Sequence, residues 1–190
     1  MAVKKIAVFA SGSGSNAENL YHYFSKNDRI KIALIVTNNP KAYVINRAKR
    51  LHIPYLIINK EALGTNNFFE KLNSYGITHI VLAGFLLKIP EALIKVFPNK
   101  IINIHPSLLP KYGGKGMYGS HVHEAVIKNK EKESGITIHL VNEKYDDGKI
   151  LFQANCLIDE KETPESLAQK IHELEYKYFP KVVEEYLYEK

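Results

Sequence analysis

Apolar residues fall along this chain in short dense runs separated by longer mixed stretches. "KIAVFA", "KIALIVT", "PYLII", "THIVLAG" and "KIINIH" are such runs, ending at Ala10, Thr37, Ile58, Gly84 and His105. The first of them are continuously apolar rather than alternating, which predicts strands covered on both faces. Between them lie helical patterns over residues 16–24, 40–51, 67–75 and 90–97. Asn39 and Pro40 offer a cap and a proline at a first helical position, and Gly76 offers a stop. Strands alternating with helices predict a parallel sheet with right-handed crossovers.

The rhythm changes after His105. A glycine-rich loop, "PSLLPKYGGKGMYGS", leads to a helical pattern over residues 121–128. "GITIHLV" and "KILFQANCLI" follow, joined by "NEKYDDG", and read as an antiparallel hairpin or a sharp turn between two strands. "TPESLAQKIHELEYKYF" reads as a closing helix, capped by Thr163 with Pro164 in its first turn and Leu167, Ile171 and Leu174 as its buried stripe. Tyr176, Tyr178, Phe179, Tyr186 and Tyr188 read as packing residues. The expected fold is α/β: a Rossmann-like, mostly parallel twisted sheet with helices on both faces and an antiparallel C-terminal part. With no repeat or linker, residues 1–190 are expected to form a single domain.

The join after the first strand, "SGSGSNAENL", raises the first chemical question. Gly12-x-Gly14-x-x-Ala17 has the letters of a dinucleotide fingerprint. A bound nicotinamide dinucleotide also needs an acidic side chain at the end of the second strand, to take the ribose hydroxyls. Thr37, Asn38 and Asn39 stand there instead. Ser15 and Glu18 have the spacing of a capping box, placing a helix N-terminus near Asn16. Backbone N–H groups and the helix dipole would then make an anion site. The loop is read as a seat for a phosphate monoester, the alternative being a tight turn with no ligand. Ser11, Ser13 and Ser15 lack the pattern of a nucleophile elbow, so a hydrolase triad is not supported.

Open parallel sheets bind ligands at the carboxyl ends of their strands. There, alternation along "KIINIH" puts Asn103 and His105 on one face and Ile102 and Ile104 on the other. Asp146 and Asp147 occupy a turn before glycine. An aspartate brought beside His105 would orient the imidazole and raise its pKa. His121 and His123 stand two apart on a helix with no third ligand in view, and are expected to be solvated rather than metal-bound.

Bulk properties narrow the setting. The formal charge is +6, with lysines scattered rather than grouped into a basic block, so neither nucleic acid nor membrane is an expected partner. The surplus can still draw small anionic substrates. Cys156 is the single cysteine, which excludes an internal disulfide and a cysteine-built metal site. No apolar run is long enough to span a bilayer, and no secretory cleavage pattern is present, so a cytoplasmic setting is expected.

"SGSGSN", "INIHPSLLPKY" and "YDDGKILFQ", in this order and spacing, resemble the folate-dependent phosphoribosylglycinamide formyltransferases of purine synthesis, over nearly the whole chain. The resemblance implies formyl transfer from 10-formyltetrahydrofolate, a cosubstrate, to the amine of glycinamide ribonucleotide, without a metal. It implies Asn103, His105 and Asp146 as catalytic residues. Gly14, Ser15 and Asn16 would hold the ribonucleotide phosphate and Glu175 its sugar. Leu86, Leu87, Lys88 and Ile89 on one side, with Asn103, and Asn142 and Glu143 on the other, would hold the folate. The chain departs from the family pattern at Leu87 and Asn66, where arginines can occur, at His172, which replaces a glutamine, and in a longer loop after the catalytic strand. Monomer and homodimer are both left open.

Overall fold

The computed structural model describes residues 2–189. Seven strands form one sheet: β1 (Lys4–Phe9), β2 (Ile30–Thr37), β3 (Tyr55–Ile57), β4 (His79–Leu82), β5 (Ile101–His105), β6 (Glu133–Leu140) and β7 (Ile150–Leu157). Their order is β3-β2-β1-β4-β5-β6-β7. The first five are mutually parallel, whereas β6 and β7 join the far edge antiparallel. This is the Rossmann-like mixed sheet expected from the sequence. The chain winds outward from β1 to β3, then returns to build from the other side of β1. The turns after β1 and β4 therefore diverge and leave a crevice at the carboxyl end of the sheet.

Alternate β1 side chains feed two cores. Ile6 and Val8 pack with Ala17, Leu20 and Phe24 of α1 (Ser15–Phe24), Val44 of α2 (Val44–Arg50), Val122 of α5 (Ser120–Lys128), and Leu167, Ile171 and Phe179 of α6 (Pro164–Tyr188). Ala7 and Phe9 face the opposite layer, against Phe68 and Leu72 of α3 (Asn66–Ser74) and Leu93 of α4 (Glu91–Val96). A helix layer on each face is why β1 and β4 are apolar without alternation.

Three local expectations are corrected. Asn39 and Pro40 do not start α2, which begins at Val44; Asn39 Oδ1 instead accepts from the Lys41 N–H, an asparagine turn that precedes the helix. Thr163 does cap α6, with Ser166 completing a capping box, but the helix continues past Phe179 and through Pro180. Proline removes the N–H that would bond the carbonyl four residues back. Asn19 of α1 donates to that carbonyl, Tyr176 O, at 3.1 Å, so the break is satisfied and α1 is tied to α6. Along α6, Phe179 and Tyr186 pack into the core, while Tyr176 and Tyr188 lie at the surface, Tyr176 stacked on His172 and Tyr188 under Arg29.

His79, at the amino end of β4, is buried, with Nδ1 3.0 Å from Thr78 Oγ1. Burial, reinforced by Lys4 and Lys100, lowers its pKa to about 4. A lowered value means the unfolded chain takes up the proton first, so His79 supports the fold fully above pH 6.5 and progressively less as pH falls toward 4. Urea unfolding at pH 7 and 5 is expected to show about 1–2 kcal/mol less of this loss in His79→Leu than in the parent. Equal losses in the two proteins would show that His79 does not set the acid limb.

Candidate active site

The opening loop reaches the crevice through Gly14, which takes φ 74 and leads directly into α1. This residue is the cap position, so the capping box expected at Ser15 and Glu18 does not form. Ser15 already lies within the helix, and no side chain caps it. Glu18 is drawn away to pair with Arg47 and Arg50 of α2. Arg47 also donates from Nε to the Ser13 carbonyl at 2.9 Å, which pins the loop from outside. First-turn N–H groups of α1 are thus left uncapped where Ser15 and Asn16 line the cavity, the arrangement an anion requires.

The residues standing where a dinucleotide-binding acid would be have another task. Asn38 accepts a hydrogen bond from the Ser11 hydroxyl, and Ser11 Oγ accepts from the Leu86 N–H at 2.9 Å. Ser11 therefore joins the end of β2 to the segment after β4.

The crevice is a cavity of about 760 Å3. Asn103, His105, Asp146, Gly14, Ser15, Asn16, Glu175, His172, Leu86, Leu87, Lys88, Ile89 and Asn142 all line it. Glu143 does not; it is exposed on the turn, on the side of Lys95. Asn66 sits exposed at the start of α3, away from the cavity.

Two loops bring Asp146 to the strand end. After β5 the chain curls back so that His105 Nε2 lies 2.7 Å from the Tyr112 carbonyl, as a donor. Thr137 of β6 holds that curl, donating to Ser107 O at 2.7 Å and accepting from the Leu109 N–H at 3.0 Å. Asp146, at φ 51, accepts from the Gly114 N–H at 2.9 Å through Oδ2. The same oxygen is 3.6 Å from His105 Nδ1, and Oδ1 is 3.5 Å from Asn103 Nδ2. Asp147, beside it, is exposed and belongs to the turn alone.

Burial works against the Asp146 carboxylate, but His139, His105 and the Gly114 N–H outweigh it and hold its pKa below the ordinary value. For His105 the balance runs the other way, and the expected rise is not observed. Burial is the largest influence and lowers its pKa, with Asp146 and the Tyr112 carbonyl offsetting only part. At neutral pH the pair is a neutral imidazole and a carboxylate.

His139 escaped the sequence reading. It faces Asn103 across the antiparallel β5–β6 pair, with Nε2 3.0 Å from Asn103 Nδ2 and Nδ1 2.9 Å from the Leu140 carbonyl. Nε2 is also 3.6 Å from Asp146 Oδ1, so the His139 ring and the Asn103 amide both face that carboxylate at the cavity wall. The signal was available: Thr137 and His139 are polar residues at period two inside an apolar strand.

His123 also differs from expectation. His121 is exposed, but His123 is 6% exposed, lines the cavity and leaves Nδ1 without a hydrogen-bond partner. Among the described residues, no group of three His, Cys, Asp or Glu side chains is placed to hold a metal. Glu175 accepts from Asn16 Nδ2 at 2.8 Å and lies 2.9 Å from His172 Nδ1, whose pKa it raises.

An uncapped helix end and an Asn–His–Asp group thus share one cavity at the carboxyl end of a doubly wound sheet, the place where such sheets bind small-molecule ligands. The chain belongs to the formyl transferase family, whose pattern matches residues 4–183. It is 40% identical over 187 residues to a chloroplastic phosphoribosylglycinamide formyltransferase of Arabidopsis thaliana, covering 95% of this chain and 64% of that one. It is 38% identical to the phosphoribosylglycinamide formyltransferase of Bacillus subtilis, covering 97% and 95%. The chain thus spans less than two thirds of the plant relative and nearly all of the bacterial one. The crystal structure of the Bacillus halodurans phosphoribosylglycinamide formyltransferase superimposes with a TM-score of 0.87 at 33% identity, over 97% of this chain and 95% of that one.

Proposed function

We propose that this protein transfers the formyl group of 10-formyltetrahydrofolate to the amine of glycinamide ribonucleotide, in purine synthesis. The observation that carries the reading is the convergence of Asn103, His105 and Asp146 in the same cavity as the uncapped start of α1. The N–H groups at Ser15 and Asn16 suit the substrate's phosphate, and Glu175 suits its ribose. The apolar segment Leu86–Ile89 and Asn142 flank the other end, where the pterin would lie.

The substrate amine attacks the formyl carbon, a carbon–nitrogen bond forms, and negative charge develops on the formyl oxygen. Asn103 Nδ2, which lies 3.0 Å from His139 Nε2 and 3.5 Å from Asp146 Oδ1, would turn an N–H from Asp146 to that oxygen. The amine must lose a proton as it attacks. Neutral His105 can take it at Nδ1, and the resulting imidazolium is held between the Asp146 carboxylate and the Tyr112 carbonyl. Collapse of the tetrahedral intermediate breaks the bond to N10 of the folate, which takes up the proton that His105 removed from the amine and leaves the imidazole neutral again. No covalent enzyme intermediate is required.

Purified protein incubated with both substrates is expected to give formylated ribonucleotide and tetrahydrofolate in equal amounts. Folate deformylation that proceeds equally well without the ribonucleotide would replace transfer by hydrolysis. No turnover of either compound would end the proposal.

A further inference from the structure

We propose that His123 is a positioning residue for the ribonucleotide, its imidazole hydrogen-bonding a ribose hydroxyl midway between the phosphate seat and the reacting amine. This deepens the functional reading above and rests on it.

A buried polar atom with no partner is costly, so it is retained where something else on occasion satisfies it. His123 is such a case: 6% exposed and on the cavity wall, with Nδ1 unpaired and shielded from the cavity. The ring must turn about Cβ–Cγ for that nitrogen to meet a ligand. It belongs to α5, whose apolar residues Val122 and Val126 pack into the core and fix where the ring stands.

The groups that act on it define its place. Glu175 and His172 face it from α6, Glu124 from its own helix and His105 from β5. His123 therefore stands within electrostatic reach of both the phosphate end of the cavity and its catalytic end. A ribonucleotide anchored at Ser15 and Asn16, with its amine at His105, puts its sugar between the two.

Burial lowers the pKa of His123, and nearby His172 and His105 oppose a second positive charge, against the pull of Glu175 and Glu124. A neutral imidazole suits a neutral hydroxyl better than a phosphate dianion. The phosphate already has the first-turn N–H groups of α1, and His172, whose pKa Glu175 raises, stands on the same side.

Binding of glycinamide ribonucleotide, and of its 2′-deoxy and 3′-deoxy analogues, is measured by calorimetry without folate on the parent and on His123→Leu. The parent is expected to bind one deoxy analogue about tenfold more weakly than the substrate. His123→Leu should lose the same factor on the substrate and nothing further on that analogue. Its KM for the ribonucleotide should rise with kcat changed little, and its unliganded melting temperature should stay level or rise, because an unsatisfied buried group has been removed. Parent-like affinity in the variant would overturn the proposal. So would an equal loss on the substrate and both analogues, which marks a phosphate contact, or a lowered melting temperature, which marks a structural role. A parent protein that binds no ribonucleotide removes the functional reading itself.

Discussion

His105→Ala is expected to lose at least about a hundredfold in kcat while remaining folded. The side chain is buried, but its one close hydrogen bond goes to the Tyr112 carbonyl of a loop that Thr137 and Ser107 also hold. Removing the ring costs that bond, worth about 1 kcal/mol, and leaves the loop otherwise anchored. Chemistry loses much more, because the amine then has no base between itself and Asp146. The pH dependence separates the roles. A base must be unprotonated, so kcat/KM should fall on the acid side as His105 takes up a proton. Burial places that fall below pH 6.5. In His105→Ala the acid limb should disappear along with the rate. Unchanged activity, or a retained limb at a hundredfold lower rate, would assign the proton transfer elsewhere.

Those elements that depend on patterns close in sequence were legible. The continuous apolar runs of β1 and β4 reported coverage on both faces, and the parity of "INIH" put Asn103 and His105 on one side of β5. What escaped notice depended on partners far along the chain. His139 acts on Asn103 only because β6 runs antiparallel and brings it opposite from 36 positions away. The capping box failed although its letters were right, since Gly14 in the left-handed region took the cap position and Arg47 and Arg50 took Glu18. His123 looked like a surface residue because its burial is imposed by α6, which forms only after another forty residues. The direction of the His105 shift followed the same rule. The neighbouring aspartate was visible in the sequence, but the desolvation that outweighs it was not.

Gly14→Ala is expected to weaken ribonucleotide binding by a factor of ten or more and to lower stability by about 3 kcal/mol, with the KM for the folate little changed. Two costs combine. At φ 74 an L-residue pays about 1–2 kcal/mol that glycine does not. A Cβ there would also stand 2.3 Å from Val44 Cγ2, 2.5 Å from Val44 Cβ and 2.9 Å from Val44 Cα. The last contact is with backbone, so α2 itself must move. Overpacking of this kind typically costs about 1–3 kcal/mol. Val44 also donates its N–H to Gly12 O at 3.1 Å, so a shift of α2 pulls on the loop whose exposed N–H groups would meet the phosphate. The folate proposed to lie on the other side of the cavity, beyond Ser11, should not feel it. A second change, Val44→Ala, removes only the Cγ2 clash and should restore little, whereas Val44→Gly also removes the Cβ clash and should restore more. Full ribonucleotide affinity in Gly14→Ala would mean that the phosphate is held by something other than the start of α1.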